Sequence, residues 1–371
     1  MAYGTISADV IQSSVTGVSL GAGNATVFKN RIINGNMVID QRNAGASKSY
    51  AANSAASYSL DRWNGENKTD GTFTIQQLST APTGFINSLG LTVTATDTSI
   101  GATQYAIVSQ AIEGLNVADL GWGTASAKTV TLSFQVYSSL TGTFGGVLTN
   151  SAQNRSYPFT YTVSSANTWT SISITIAGDT SGTWLTTNGV GISVVFGLAC
   201  GSTYSGTAGS WAGATYLSAT GAQNVMNTNS STWYVTGVQL EVGSSATGFE
   251  YVDYTNQLLM CQRYFQSTYN IGTAIGTATT AGAIYRTMDA TQLYATLGWS
   301  MPIRMRTTPT VTYYGPFTGT AGKMGYNPGG VEITTGSAGT DGTSWVATII
   351  NGISISQSYG IMVHFGCSAE L

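Results

Sequence analysis

The chain has 371 residues, enough for two or three domains. Charged residues make up 8% against roughly 25% in an ordinary soluble domain, while 42% are hydrophobic and 11% aromatic, with 46 Gly and only 6 Pro. Those figures exclude a disordered chain, which is poor in aromatics, a collagen and a charged helical bundle. What remains is a β-dominated chain rich in Gly, Ser and Thr. Its net charge of −3 and scattered basic residues, densest at Arg304 and Arg306, lack the basic footprint of a nucleic-acid binder.

The first residues have neither the basic nor the apolar run of a secretory signal. The expectation is a protein made in a cytoplasm without a signal peptide. Ile6, Val10, Ile11, Val15 and Val18 follow with no evident core of their own, so this segment is expected to be ordered by packing on a partner.

Strand signals then dominate. Leu91, Val93 and Ala95 recur at every second position. Residues 112–120 read as a short helical turn between strands. Val130, Leu132, Phe134 and Val136 alternate with Thr131, Ser133, Gln135 and Tyr137, and Ile172, Ile174 and Ile176 alternate with Ser and Thr. Each pattern predicts a strand with one buried and one wet face. The longest apolar run, Val190 to Cys200, is about half the ~20 residues of a membrane helix and reads as a buried strand; no membrane insertion is expected. Trp233 and Val235 are apolar at odd positions, then Val238, Leu240 and Val242 at even ones. A β-bulge at Gly237 explains the parity switch, since an extra residue flips the faces and Gly accepts positive φ.

Leu258, Cys261 and Phe265 stand near helical spacing in a segment that breaks the strand pattern. Near the end, Ile361, Val363, Phe365 and Cys367 alternate again, which puts His364 on the opposite face as a surface or subunit-contact residue. Gly-rich turns separate the strands, as in an antiparallel sandwich. Cys200, Cys261 and Cys367 are odd in number and widely spaced, so no disulfide framework is expected. The chain therefore divides into an N-terminal segment (1–29), a jelly-roll β-sandwich (30–254), a hinge (255–266) and a smaller C-terminal β-sandwich domain (267–371).

Several stretches carry a resemblance. They are Asn30-Arg31-Ile32-Ile33-Asn34-Gly35-Asn36, Asp40-Gln41-Arg42-Asn43, Asp61-Arg62-Trp63 and Gln110-Ala111-Ile112-Glu113-Gly114. The series continues with Trp233 through Gly243, Ala246-Thr247-Gly248-Phe249-Glu250 and Cys261-Gln262-Arg263-Tyr264-Phe265. In this order, over residues 28–266, the series resembles bacteriophage tail-fibre and related virion structural proteins. Its opening and closing strands also resemble those of jelly-roll carbohydrate-binding modules. The resemblance implies a homotrimeric virion protein whose N-terminal segment attaches it to other virion proteins of tail, neck or capsid. Its β domains would bind a host cell-surface glycan. A head fibre or capsid decoration protein is the structural alternative, and a polysaccharide depolymerase the enzymatic one.

Sugar rings stack on aromatic faces, so Trp and Tyr in polar loops are the candidate ligand contacts. Trp169, Trp184, Tyr204, Trp211 and Tyr216 form one group, and Tyr313, Tyr314, Tyr326 and Trp345 a second in the distal domain. Packing is the competing role. Trp63, Trp122 and Trp233 read as core or subunit-contact residues. A depolymerase needs two carboxylates at a set spacing, and Asp61, Glu113, Glu241 and Glu250 read instead as structural partners. One His cannot build a His-based zinc site, and no calcium-loop cluster is present. No catalytic residue, metal or cofactor is expected.

Overall fold

A computed structural model describes residues 28–288, 292–327, 330–333, 337–340, 342–355 and 359–371. The expected attachment residues Ile6, Val10, Ile11, Val15 and Val18 lie outside the described residues. The alternating segments fold into two facing antiparallel sheets. The front sheet runs Lys48–Tyr50, Thr72–Leu78, Ser88–Ala95, Thr232–Val242, Val130–Ser138, Thr170–Ile176. The back sheet runs Ser57–Leu60, Trp63–Asn67, Tyr105–Glu113, Val190–Cys200, Gly142–Thr149, Ser156–Val163. The chain crosses repeatedly from one sheet to the other, as a jelly roll does.

Period-2 alternation places the core. Val130, Leu132, Phe134 and Val136 are buried, as are Leu91, Val93 and Ile176. Ile172 and Ile174 pack partly buried at the margin, and Ala95, at a strand end, is exposed. Trp63 and Trp233 sit fully buried between the sheets. Each indole N–H is satisfied there: Trp63 donates to the Asn34 carbonyl at 3.0 Å and Trp233 to the Tyr161 hydroxyl at 3.0 Å. Truncating either to Ala would cost roughly 3–5 kcal/mol.

The bulge lies where the parity switch put it. The register of Thr232–Val242 against Val130–Ser138 slips between Thr236 and Gln239, and Gly237 has φ +61°. The Asn30 side chain fills the break. It donates to the Val238 carbonyl at 3.0 Å and accepts from the Leu240 and Ile32 amides at 3.0 and 2.9 Å. The opening and closing motifs are therefore two halves of one hydrogen-bonded joint.

The other motif polars are structural as well. Asn34 ties the Ile39 backbone to the Asp61 carbonyl. Asp61 accepts from the Gln41 amide and side chain at 2.7 and 2.6 Å. Glu241 accepts from Gln239 and from the Thr247 amide and hydroxyl. Residues 112–120 hold two 3-10 turns, Gly114–Asn116 and Ala118–Leu120. Cys200, Cys261 and Cys367 are free.

The two outer faces differ. The back sheet is covered by the chain's own excursion over residues 201–219, where Leu217 packs on Ile107, Val147 and Val195. Over the front sheet the loop that follows the closing strand reaches only part of the outward face: Thr175 donates to the Ser244 carbonyl at 2.9 Å, while Ser171 and Ser173 stay exposed.

In the C-terminal unit the strand Gly360–Ser368 is the hub. It pairs with Phe265–Ser267 and Thr310–Tyr314 toward one end and with Ile284–Thr287 and Met324–Asn327 toward the other. A smaller sheet joins Gln292–Ser300, Trp345–Ile355 and Ser337–Thr340. Ile361, Val363, Phe365 and Cys367 are fully buried as expected.

His364 departs from its expected surface position, because the other face of its strand is covered too. It is fully buried, and Tyr269 stacks on it at 3.9 Å. Its Nδ1 lies 3.0 Å from the Thr268 hydroxyl and its Nε2 2.9 Å from the Thr279 carbonyl. Burial pushes its pKa down, despite the Thr279 carbonyl. The neutral ring then donates from Nε2 and accepts at Nδ1.

Residues 255–266 are not a free hinge. They begin in a helix, Tyr254–Gln262, that Asp253 caps by accepting the Asn256 amide. Arg263 then makes a bidentate pair with Glu113 at 2.9 and 2.6 Å, and Tyr264 donates to the same carboxylate at 2.7 Å. The buried Tyr264 ring carries the Arg62 guanidinium at 3.6 Å. These partners tie the segment to the sandwich.

Candidate functional site

The open front sheet presents a row of outward side chains dictated by the pleat. Ser133, Gln135 and Tyr137 come from one strand, Ser171 and Ser173 from its neighbour, and Tyr234 from the other side. Register sets Tyr234 directly opposite Tyr137 and Gln135 opposite Ser171. The two tyrosine rings stack at 5.1 Å with 8° between their planes, and Trp169 adds a third ring 5.5 Å from Tyr137. Gly90, on the next strand, lies opposite Tyr234. A Cβ there would come within 3.0 Å of the Tyr234 ring, so the glycine lets that ring lie across the sheet.

Beside this platform is a cleft of about 380 Å³. Ser133, Gln135, Ser171 and Ser173 line it from the sheet, and Ala246 to Phe249 from the loop that follows the closing strand. An aromatic trio forms its far wall: Phe85 to Phe249 is 5.2 Å, Phe85 to Tyr251 5.7 Å and Phe249 to Tyr251 5.0 Å. The bulge aims this wall, because a Cβ at Gly237 would meet the Phe85 ring at 2.6 Å. Tyr251 is 61% exposed, and its hydroxyl donates to the Gly84 carbonyl at 2.9 Å. Ser171 donates to Gln135 Oε1 at 2.9 Å, and both residues line the cleft. No charged side chain is among the described residues that line it, and the Lys29 ammonium bonds to Thr247 and Gly248 of its loop wall at 2.6 and 2.7 Å. The arrangement offers flat apolar faces flanked by hydroxyl and amide groups.

The sequence-predicted contacts are dispersed. Trp169 alone belongs to this platform. Trp184 and Trp211 join Trp122 in a mutual edge-to-face cluster at 4.8 to 5.4 Å. Their indole N–H groups go to backbone carbonyls, Trp184 to Ser181 at 3.0 Å and Trp211 to Ala177 at 2.8 Å. These two rings pin loops to the core margin. Tyr204 packs edge-on against Tyr105 at 5.1 Å, and Tyr216 lies across Gly206, both behind the back sheet.

The distal four do not form one cluster. Tyr313 and Tyr314 are adjacent on a strand and point to opposite faces, Tyr313 toward the distal core and Tyr314 toward Tyr269 at 6.1 Å. Tyr326 stacks on Tyr359 at 5.6 Å, and Trp345 covers Gly298 on the smaller sheet.

Tyr137, Tyr234, Phe85, Phe249 and Tyr251 are not among the sequence-predicted contacts. One signal was available: Tyr137 is an aromatic on an outward row otherwise made of Thr, Ser and Gln. Its partner Tyr234 follows only from register.

No protein-family model and no curated protein matches the sequence. Among solved structures, an enzymatically active domain of tailspike protein 4 from bacteriophage CBA120 is 10% identical with a TM-score of 0.29. That match covers 58% of this chain and 21% of the other, so the chain spans about a fifth of that domain's length. The family 11 carbohydrate-binding module of cellulase Lic26A-Cel5E from Clostridium thermocellum is 13% identical, with a TM-score of 0.28, over 53% of this chain and 99% of the module. The N-terminal tandem CBM22-1–CBM22-2 domain of Xyn10C from Paenibacillus barcinonensis is 7% identical, with a TM-score of 0.24, over 88% and 98%. All three TM-scores are low, and the architecture rests on the chain's own strand pairing. No helix among the described residues is long and apolar enough to cross a membrane.

Proposed function

We propose that this chain is a virion fibre protein that binds a host cell-surface glycan with the front face of its sandwich and performs no chemistry on it. The observation that carries the reading is the outward face of the front sheet. It combines a stacked Tyr137–Tyr234–Trp169 platform with a cleft of hydroxyl and amide groups. Sugar rings meet aromatic faces through C–H groups while their hydroxyls need donors and acceptors at the side. A concave apolar site with a few polar groups has that form. The virion role and trimeric state rest on the order of the sequence motifs. In a trimer, three weak sites on one fibre would raise avidity without new contacts.

The test is calorimetric titration of the purified protein with surface polysaccharide from the adsorbing host, together with inhibition of particle adsorption. Binding that Tyr137→Ala/Tyr234→Ala abolishes, with the melting temperature unchanged, supports the proposal. Retained binding in that variant removes the front face from it. Absence of binding and of adsorption block removes glycan recognition altogether. Release of reducing ends from the polysaccharide would replace adhesion with catalysis.

A further inference from the structure

A second cavity lies away from the front face: a pocket of about 590 Å³ where the start of the sandwich, the helix Tyr254–Gln262 and the distal unit meet. Phe28, Ile32, Leu259, Met260 and Ile303 give it an apolar lining, and Leu259 is 37% exposed. Among its walls is Gln257, only 5% exposed, whose side-chain Nε2 has no hydrogen-bond partner. A buried amide donor left unpaired carries an uncompensated desolvation cost. That cost is recovered when something in the pocket presents a carbonyl oxygen.

We propose that this pocket is the seat of the chain's own segment 1–27. Three observations favour that occupant. First, Phe28, the first described residue, lines the pocket, so the segment enters the described structure at its rim. An apolar stretch tethered there sees the pocket at an effective concentration of order mM. Second, the segment has the matching chemistry. It carries Ile6, Val10, Ile11, Val15, Val18 and Leu20 with one charged side chain, Asp9, and any peptide brings the carbonyl that Gln257 lacks. Third, the charges are complementary. Arg304 lines the pocket and bonds through Nε to Thr343, but among the described residues it has no carboxylate partner. Asp9 is the one acid the segment can offer. Attachment to a virion partner would then compete with this self-docking.

The experiment places photo-crosslinking benzoylphenylalanine at the exposed Leu259 position of the full chain and maps adducts by mass spectrometry, using a mixture of isotopically light and heavy protein. The expected major adduct joins position 259 to a residue within 1–27 of the same chain. Absence of an adduct, adducts confined to other regions, or adducts only between light and heavy chains would overturn the proposal. A second measurement is independent of crosslinking. Met260→Arg should raise chymotrypsin cleavage after Leu20 about tenfold, the protection lost by a segment docked about nine-tenths of the time. Equal cleavage in both proteins would also overturn it.

Discussion

Glu370 holds the two β units together, and its removal should be felt by both. Its carboxylate is 5% exposed and lies between two guanidiniums of the sandwich, Arg42 at 2.8 Å and the almost fully buried Arg62. Arg62 otherwise has the Ala111 carbonyl and the face of Tyr264, and its Nε is unpaired. At an effective dielectric of ~20, a charge pair near 3 Å gains about 5–6 kcal/mol gross. Desolvation takes back several kcal/mol of that. The partner left behind decides the cost of breaking the pair. In Glu370→Ala the almost fully buried Arg62 loses its carboxylate partner, and removing one member of a buried pair typically costs ~3–5 kcal/mol. Urea unfolding should therefore show a loss of about that size, and calorimetry should split one transition into two as the units uncouple. The double variant Glu370→Ala/Arg62→Met removes the stranded charge and should recover most of the loss. A Glu370→Ala protein within 1 kcal/mol of the parent, or a double variant no better than the single, would refute the argument.

Other expectations follow from the same physical terms. Tyr234→Ala should weaken glycan binding about tenfold, or ~1.4 kcal/mol, measured by calorimetry, while Trp184→Phe at the loop cluster should leave affinity unchanged. Gly237→Ala must hold φ near +61° and push Phe85 aside, so a stability loss of about 1–2 kcal/mol should accompany weaker binding; unaltered unfolding would show that the bulge relaxes freely. Burial raises the Asp61 carboxyl to about 7, against the lowering pull of Arg42 and the Gln41 hydrogen bonds. The folded state then holds a proton that the unfolded state releases above pH ~4, so Asp61 makes stability fall as pH rises from about 4 to about 7 and stay level above. Asp61→Asn should remove that slope in urea titrations across this range; an unchanged slope would place its origin elsewhere. Glu113→Gln weakens the bidentate pair with Arg263 and should lower the unfolding midpoint, with Glu113→Ala, which also strands the Tyr264 hydroxyl, lowering it further.

Much of the architecture was legible in the sequence because strands write a two-residue period into it. Val130 to Val136 showed which face is buried, and the parity switch at Gly237 located a bulge without any coordinates. Low charge and abundant Gly, Ser and Thr fixed the class. Local pattern did not reveal whether a second layer covers the far side of a strand. His364 looked outward by alternation and is buried because Tyr269, Thr268 and Thr279 close over it. Residues 255–266 looked like a hinge because their partners, Glu113 and Arg62, lie some 150 to 200 positions away. The candidate site shows the same division most plainly. Sequence could list the aromatics, but an aromatic in a loop is as ready to pack as to bind, and Trp184 and Trp211 pack. Register set Tyr137 against Tyr234, and the fold of 201–219 covers the back sheet. Both are long-range pairings, and only the tertiary structure decides them.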